Sequence, residues 1–410
     1  MKKLLLVGVA LAWTGVGAAA YADDTAPPTP VAPGAPGAPA APAAPAAPTS
    51  NAMTNPTLSG PLVANPNPVK FDSNSVFGPV YVTGVLSGLG FGESNHFSSD
   101  HESAADISNG QVIVQNTSGP AQFYAQAGIY SIPDLGTPYV RASQVNSLLF
   151  GPLPVAWGKW VLNDSFNVQA GKLPTLIGAE YTFSFENMNI ERGLLWNQEP
   201  AISKGVQANL TTGPVAWSVG SNDGFDSDRY NWITGAATWT IDPANTLEVV
   251  AGGNFGQTNV STFLTPTPQS NSTIVNLMYT YNAAPWTITP YFQYTDVPKN
   301  TSLGFFHDAS TVGFALLANY SINDNWNVAG RAEYISSSGS VANGAANLLY
   351  GPGSNAWSLT LTPTWQQGIF FVRGEGSIVE ASDITSGFAF GKSGNQKTQG
   401  RLMLEGGILF

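Results

Sequence analysis

The sequence predicts an all-β protein: a transmembrane antiparallel up-and-down β-barrel of about 16 strands behind a disordered Pro/Ala-rich N-terminal linker. Three observations carry that expectation. Apolar and polar residues alternate with period two over long segments, the connections between those segments alternate between tight turns and long loops, and the last segment alternates up to an aromatic final residue, Phe410.

Composition excludes several classes at once. Only 10% of the 410 residues are charged, whereas soluble domains carry about a quarter. There is no cysteine, so disulfides, thiolate metal sites and Cys nucleophiles are ruled out. Three histidines, His96, His101 and His307, leave little material for a metal centre, and no cofactor site is expected. A net charge of -11 speaks against nucleic acid as a partner, because phosphate binding needs a basic face.

Residues 1–22 read as a secretory signal peptide: Lys2 and Lys3, an apolar run from Leu4 to Ala20, and the small-x-small cleavage pattern Ala20-Tyr21-Ala22. Residues 23–76 read as a Pro/Ala-rich disordered periplasmic linker, since the run from Pro33 to Pro48 has no aromatic residue with which to offset the entropy of ordering. Residues 77–410 carry the barrel.

Within 77–410 the period is clearest where Trp357, Leu359, Leu361, Pro363 and Trp365 interleave with Ser358, Thr360, Thr362, Thr364 and Gln366. Trp286, Ile288, Phe292 and Tyr294 alternate likewise, as do Val275, Leu277, Tyr279 and Tyr281. Such strands run to about ten or twelve residues, the length that crosses a bilayer at a tilt. Residues 155–163 alternate poorly.

Tight turns at Ser118-Gly-Pro120, Asn163-Asp-Ser165, Thr212-Gly-Pro214 and Gln366-Gln-Gly368, among others, separate longer segments such as 93–107, 133–154, 175–202 and 381–398. Outer-membrane barrels show this asymmetry, with short turns on the periplasmic side. An even strand count places both termini in the periplasm and the protein in the bacterial outer membrane. About 16 strands leave room for an aqueous channel.

On the last strand, Leu402, Leu404, Ile408 and Phe410 oppose Arg401, Glu405 and Gly407, which resembles the terminal signal read by the barrel-assembly machinery. Charges on the polar phase must face inward, because an Arg facing lipid at mid-depth costs about 2–4 kcal/mol. Arg331, Glu333, Arg373, Glu375, Arg401 and Glu405 are therefore the candidate pore-lining residues. They could set a transverse field across a wet lumen or form a salt-bridge network that stiffens the wall. Lys172 and Lys204 break the parity; a bulge at Gly171 or contact with lipopolysaccharide phosphates at the rim would explain them.

Loop 175–202 is the candidate constriction. It contains Glu180, Glu186, Glu191, Arg192 and Glu199 among Tyr181, Phe183, Phe185, Leu194, Leu195 and Trp196. So many apolar side chains need cover. Folding into the barrel would give them a wall to pack on and leave the carboxylates at the narrowest point; a lid or a latch over a neighbouring subunit is the competing reading.

Gly171-Lys172, Gly178, Glu180, Asn187, Ser203-Lys204-Gly205-Val206, Asn222-Asp223-Gly224-Phe225-Asp226, Arg373-Gly-Glu375 and the terminal Phe410 together resemble the OmpL-like putative beta-barrel porin type 2 family over most of 77–410. The resemblance implies an outer-membrane barrel that passes small solutes. The long Pro/Ala linker and the Asn222-Asp223-Gly224 turn depart from its pattern.

The expected function is passive diffusion of small hydrophilic solutes and ions through a water-filled channel, without enzymatic activity. Its partners would be outer-membrane lipid and lipopolysaccharide, and a homotrimer is left open. The alternative is a non-conducting adhesion or scaffold barrel whose outside loops bind a partner. A rim hydrolase would have to use His96 or His101 with Asp100 or Asp106; the acidic run Asp223, Asp226 and Asp228 lacks the closing Glu of an EF-hand.

Overall fold

The computed structural model describes residues 60–72 and 78–410. The signal segment and the Pro/Ala-rich stretch through residue 59 lie outside the described residues. The described sheet holds 17 strands, one of which, Val69–Phe71, is a three-residue addition beside the start of Val80–Glu93. The other 16 run antiparallel from Val80–Glu93 to Thr398–Leu409. The last returns to the first through a register from Arg401↔Glu93 to Leu409↔Val85. The ring of 16 is closed, so the sheet has no first or last strand, as a sheet in hydrocarbon requires. Connections at one end span two to four residues and those at the other nine to 27.

The two faces invert the usual distribution of a folded protein. On Asn355–Gln367, Leu359 and Leu361 are 54% and 56% exposed on the outer face, whereas Ser358, Thr360, Thr362 and Thr364 are buried inside. Outward Trp239, Trp286, Tyr320 and Trp326 lie near the short turns as an aromatic belt, with Trp286 and Tyr320 in ring contact at 4.6 Å. At the seam, Phe410 and Gly84 exchange backbone hydrogen bonds of 2.8 and 2.9 Å. The Phe410 ring lies where a Gly84 side chain would be: a Cβ there would fall 2.5 Å from it.

Three local features differ from the sequence expectation. The first long loop is 94–102, because Ser103–Ile107 already pairs with Gly88–Gly92. A register shift there leaves Ser108 as an extra residue, buried and 2.7 Å from the Ser87 hydroxyl. Residues 155–163 do form a strand; their alternation is weak because Trp157 faces inward, stacked on Tyr124 at 5.5 Å, while Trp160 and Leu162 face outward. Gly171 carries no bulge: its register runs on through Trp157 and Gly205. Its φ of +141° and the 2.2 Å gap between a built Cβ and the Ala156 carbonyl oxygen explain the glycine.

Residues 60–72, inside the span read as linker, run against the barrel. Val69–Phe71 pairs with Val80–Val82, occupying the edge of the first strand just beyond Phe410, and Leu62 is buried.

Leu361→Arg should cost the barrel about 2–4 kcal/mol, read as a shift in the denaturant midpoint for folding into lipid vesicles. An unchanged midpoint would mean that this face does not meet hydrocarbon.

Candidate functional site

Cross-strand pairing carries one parity around the whole ring. Arg331 lies opposite Leu317 and Thr360, Arg373 opposite Glu405 and Thr364, and Arg401 opposite Glu93, all on the inner face. Three arginines that stay charged at any physiological pH are thus brought inside a closed cylinder and need partners there. Loop 175–202, between the fifth and sixth barrel strands, supplies many of them.

The loop lies against the inner wall. Its Ile177, Met188, Leu194 and Leu195 pack with inward Ala236, Val250, Ile274, Met278, Leu317 and Ile335, and Phe183 and Phe185 pack with Tyr81, Val85, Ile113, Phe371 and Leu409. Wall carboxylates then grip the loop backbone. Glu333 accepts from the N–H groups of Leu194 and Leu195 at 3.0 and 3.2 Å. Glu375 accepts from those of Ile190 and Glu191 at 2.5 and 2.9 Å. Glu405 accepts from the Ser184 hydroxyl at 2.9 Å while pairing with Arg373.

The arginines bind the loop in return. Arg331 donates to the Glu180 carboxylate at 2.5 Å and to the Glu191 carbonyl at 2.6 Å, and Arg373 donates to the Asn187 carbonyl at 3.1 Å. Arg401 pairs with Glu191 and Glu93 and reaches the carbonyls of Asp134 and Thr137, both at 3.2 Å. A Cβ at Gly193 would lie 2.2 Å from Glu333 Oε1, so only glycine lets the backbone come this close.

The remaining loop charges have their own partners. Glu186 caps its own turn through the Phe183 N–H at 3.0 Å, Arg192 pairs with Asp134 at 3.2 Å, and Glu199 accepts from the Tyr291 hydroxyl. Burial pushes the Asp134 carboxyl up to about 6, although Arg192 beside it pulls the other way. It drives Glu199 well above the carboxylate range despite the Tyr291 hydroxyl. None of Glu180, Glu186, Glu191, Arg192, Glu199 and the six wall residues is more than 7% exposed.

Contacts to the loop run from Ala236 and Val250 through Asn276, Gln293, Glu333, Thr362, Arg373, Ser377 and Glu405 and on to Tyr81, Asn109 and Tyr130, so they cover most of the circumference. The inward Trp157, Lys159, Asn167, Thr238, Thr246 and Glu248 are only partly buried. Toward the long-loop end, a cavity of about 190 Å³ is lined by Asp134, Phe150, Trp196, Glu199, Phe225 and Phe263, among others.

The two lysines of opposite parity have protein partners. Lys172 Nζ donates to the carbonyls of Phe150 and Leu153 at 2.8 and 3.2 Å. Lys204 Nζ lies 3.8, 3.0 and 2.7 Å from the carboxylates of Asp223, Asp226 and Asp228, so an ammonium group sits at the centre of that acidic run. In the first long loop Asp100 accepts from the backbone N–H groups of His101 and Tyr139, and on the strand that follows Asp106 accepts from that of Ala142. Among the described residues no group of three His, Asp or Glu side chains has metal-binding geometry.

A family model described as "Putative beta-barrel porin-2, OmpL-like" matches residues 79–410. The chain belongs to this family. No curated protein matches this porin. Among solved structures, it is similar to the anion-selective porin from Comamonas acidovorans (11% identity, 81% of this chain and 99% of that one, TM-score 0.55). It is also similar to the outer-membrane expressed OmpT of Vibrio cholerae (11% identity, 83% and 100%, TM-score 0.54). The in-vitro folded trimer form of that OmpT matches with 11% identity over 81% and 99% and a TM-score of 0.51. Identities this low show a shared fold. Family and fold together point to the bacterial outer membrane and to a channel rather than an enzyme.

Parity alone locates the six wall charges of this porin, but Glu93, Asp134 and Tyr291 escaped it. Glu93 ends a strand whose inner face next to it is Leu89 and Phe91, so the adjacent phase reads as apolar and does not flag it. Asp134 lies in a loop, and Tyr291 shares its phase with a threonine and a glutamine without being charged.

Glu375→Ala should strand two buried N–H groups and cost about 3–5 kcal/mol, with segment 175–202 becoming protease-sensitive in detergent; unchanged resistance would show that the grip is dispensable. A second test uses pH. The folded state holds a proton on Asp134 more tightly than the unfolded chain, so its contribution to stability is full below about pH 4 and is lost as pH rises through about 6. The thermal midpoint of Asp134→Asn, which stays neutral, should gain on the wild type between those limits; a constant difference would remove the linkage.

Proposed function

We propose that this porin is a passive channel for small hydrophilic solutes and ions, with loop 175–202 as its constriction. One observation carries the reading: the loop leaves a set of inward side chains, Trp157, Lys159, Asn167, Thr238, Thr246 and Glu248, partly accessible. Water reaching Trp157, Lys159, Thr238 and Glu248 implies a crescent-shaped path between the loop and the strands spanning 155–254.

The two charges on this path differ from those under the loop. Among the described residues neither Lys159 nor Glu248 makes an ion pair. Lys159 lies 5.8 Å from the Trp157 ring centroid, and Glu248 stands five strands further round, opposite Thr238 and Met278. Their fields are not cancelled by a neighbour, so they are the groups that a passing ion would feel. The role of Arg331, Glu333, Arg373, Glu375, Arg401 and Glu405 is then to hold the constriction in place, and with it the width of the path. The short connections would face the periplasm, with both termini there, as in other barrels of this kind.

In planar bilayers the wild type should conduct, and deletion of 180–199 should raise single-channel conductance; a silent wild type would refute the channel, and equal conductance the constriction. Lys159→Gln should move the salt-gradient reversal potential toward cation preference and Glu248→Gln toward anion preference. Identical potentials in both variants and the wild type would place the selective charges elsewhere.

A further inference from the structure

We infer that residues 60–63 are a tethered wedge seated in the short-turn half of the barrel, beneath loop 175–202, where they take up part of the lumen. The inference rests on the channel reading above. Three contacts define the seat. Leu62 is 3% exposed, within an apolar cluster on the inner face that includes Tyr81, Val85, Phe183, Phe371 and Leu409. Val63 and Gln366 bond reciprocally: the Val63 N–H donates to Gln366 Oε1 and Gln366 Nε2 donates to the Val63 carbonyl, both at 2.8 Å. The Gly60 N–H donates to the Glu186 carbonyl of the loop at 3.2 Å.

The depth of entry is set by a missing side chain. A Cβ on Gly60 would fall 2.3 Å from the Asn187 carbonyl oxygen, so the wedge reaches the loop because it ends in glycine. The same stretch of loop is held from the wall side by Arg373, which donates to the Asn187 carbonyl. Residues 186–187 are therefore clasped between the wall and the wedge.

Nothing in this seat belongs to the barrel ladder. Gln366 offers a side-chain amide, not a strand edge, and Val63 is 64% exposed on its other side. The segment can leave without breaking a strand pair. It is also unable to drift away: the Asn65 side chain turns the chain by accepting from the Asn67 N–H at 2.9 Å, and Val69–Phe71 is paired to the first barrel strand. Three residue pairs thus moor a short apolar ligand beside its own site. A contact that would be weak between separate molecules is occupied when tethered, because the effective concentration is in the millimolar range. Leaving the seat would free the volume below the loop and remove the wedge's hold on residues 186–187.

Single-channel recording tests this. Deletion of residues 60–68 should raise conductance by about two-fold, as expected when a wedge leaves the lumen, and a synthetic peptide of residues 56–68 added at the short-turn side should lower it again. Leu62→Asp and Gln366→Ala keep the mooring strand and should raise conductance in the same direction, so they decide the matter if the deletion does not insert. A conducting wild type with unchanged conductance in the variants overturns the wedge alone. Silence of wild type and variants alike overturns the channel reading and the wedge with it.

Discussion

A backbone amide in hydrocarbon has no water to bond to, and that constraint organises this molecule. Closing 16 strands into a ring satisfies the ladder without leaving an edge. Once the ring is closed, the period-two pleat sorts every side chain between lipid and interior. Leu402 and Leu404 go outward, at 72% and 61% exposed, and Arg401 and Glu405 go inward, at 3% and 0%. The interior of such a cylinder collects the charged and polar residues that a soluble domain would send to its surface.

Collected charges then demand partners, and loop 175–202 is where wall and loop satisfy each other. Glu333 and Glu375 each receive two consecutive loop N–H groups, while Arg331 and Arg373 each donate to a loop carbonyl. The irregular loop backbone would otherwise be buried without hydrogen bonds, and the arginines without counter-charge. Each side removes the desolvation cost of the other. The arrangement also keeps the loop's apolar residues on the wall, so packing and hydrogen bonding hold it in the same place.

Much of this architecture is legible in the chain because strand parity is a local property. Trp357 to Gln366 shows its two faces with no knowledge of neighbours, and turn residues such as Thr212-Gly-Pro214 mark the ends. Where the inner face is apolar, the signal fades: Trp157 inside and Trp160 outside make 155–163 read as irregular, and Glu93 hides behind Leu89 and Phe91. The Asp223, Asp226 and Asp228 run has the look of a cation site, and only the fold brings Lys204 from a neighbouring strand to its centre.

The sequence by itself determined the class of fold, the approximate strand number, the inward direction of Arg331, Arg373 and Arg401, and the loop whose apolar content requires cover. Each follows from spacing along the chain and from the cost of placing charge or peptide groups in lipid. Tertiary structure alone decided which partner each charge takes, that Leu62 and Val63 return to the barrel from within a linker-like stretch, and that Lys159 and Glu248 stand apart from the ion pairs. Those outcomes depend on which strands closure makes neighbours and on where one loop comes to rest, distances of hundreds of residues along the chain that no local period encodes.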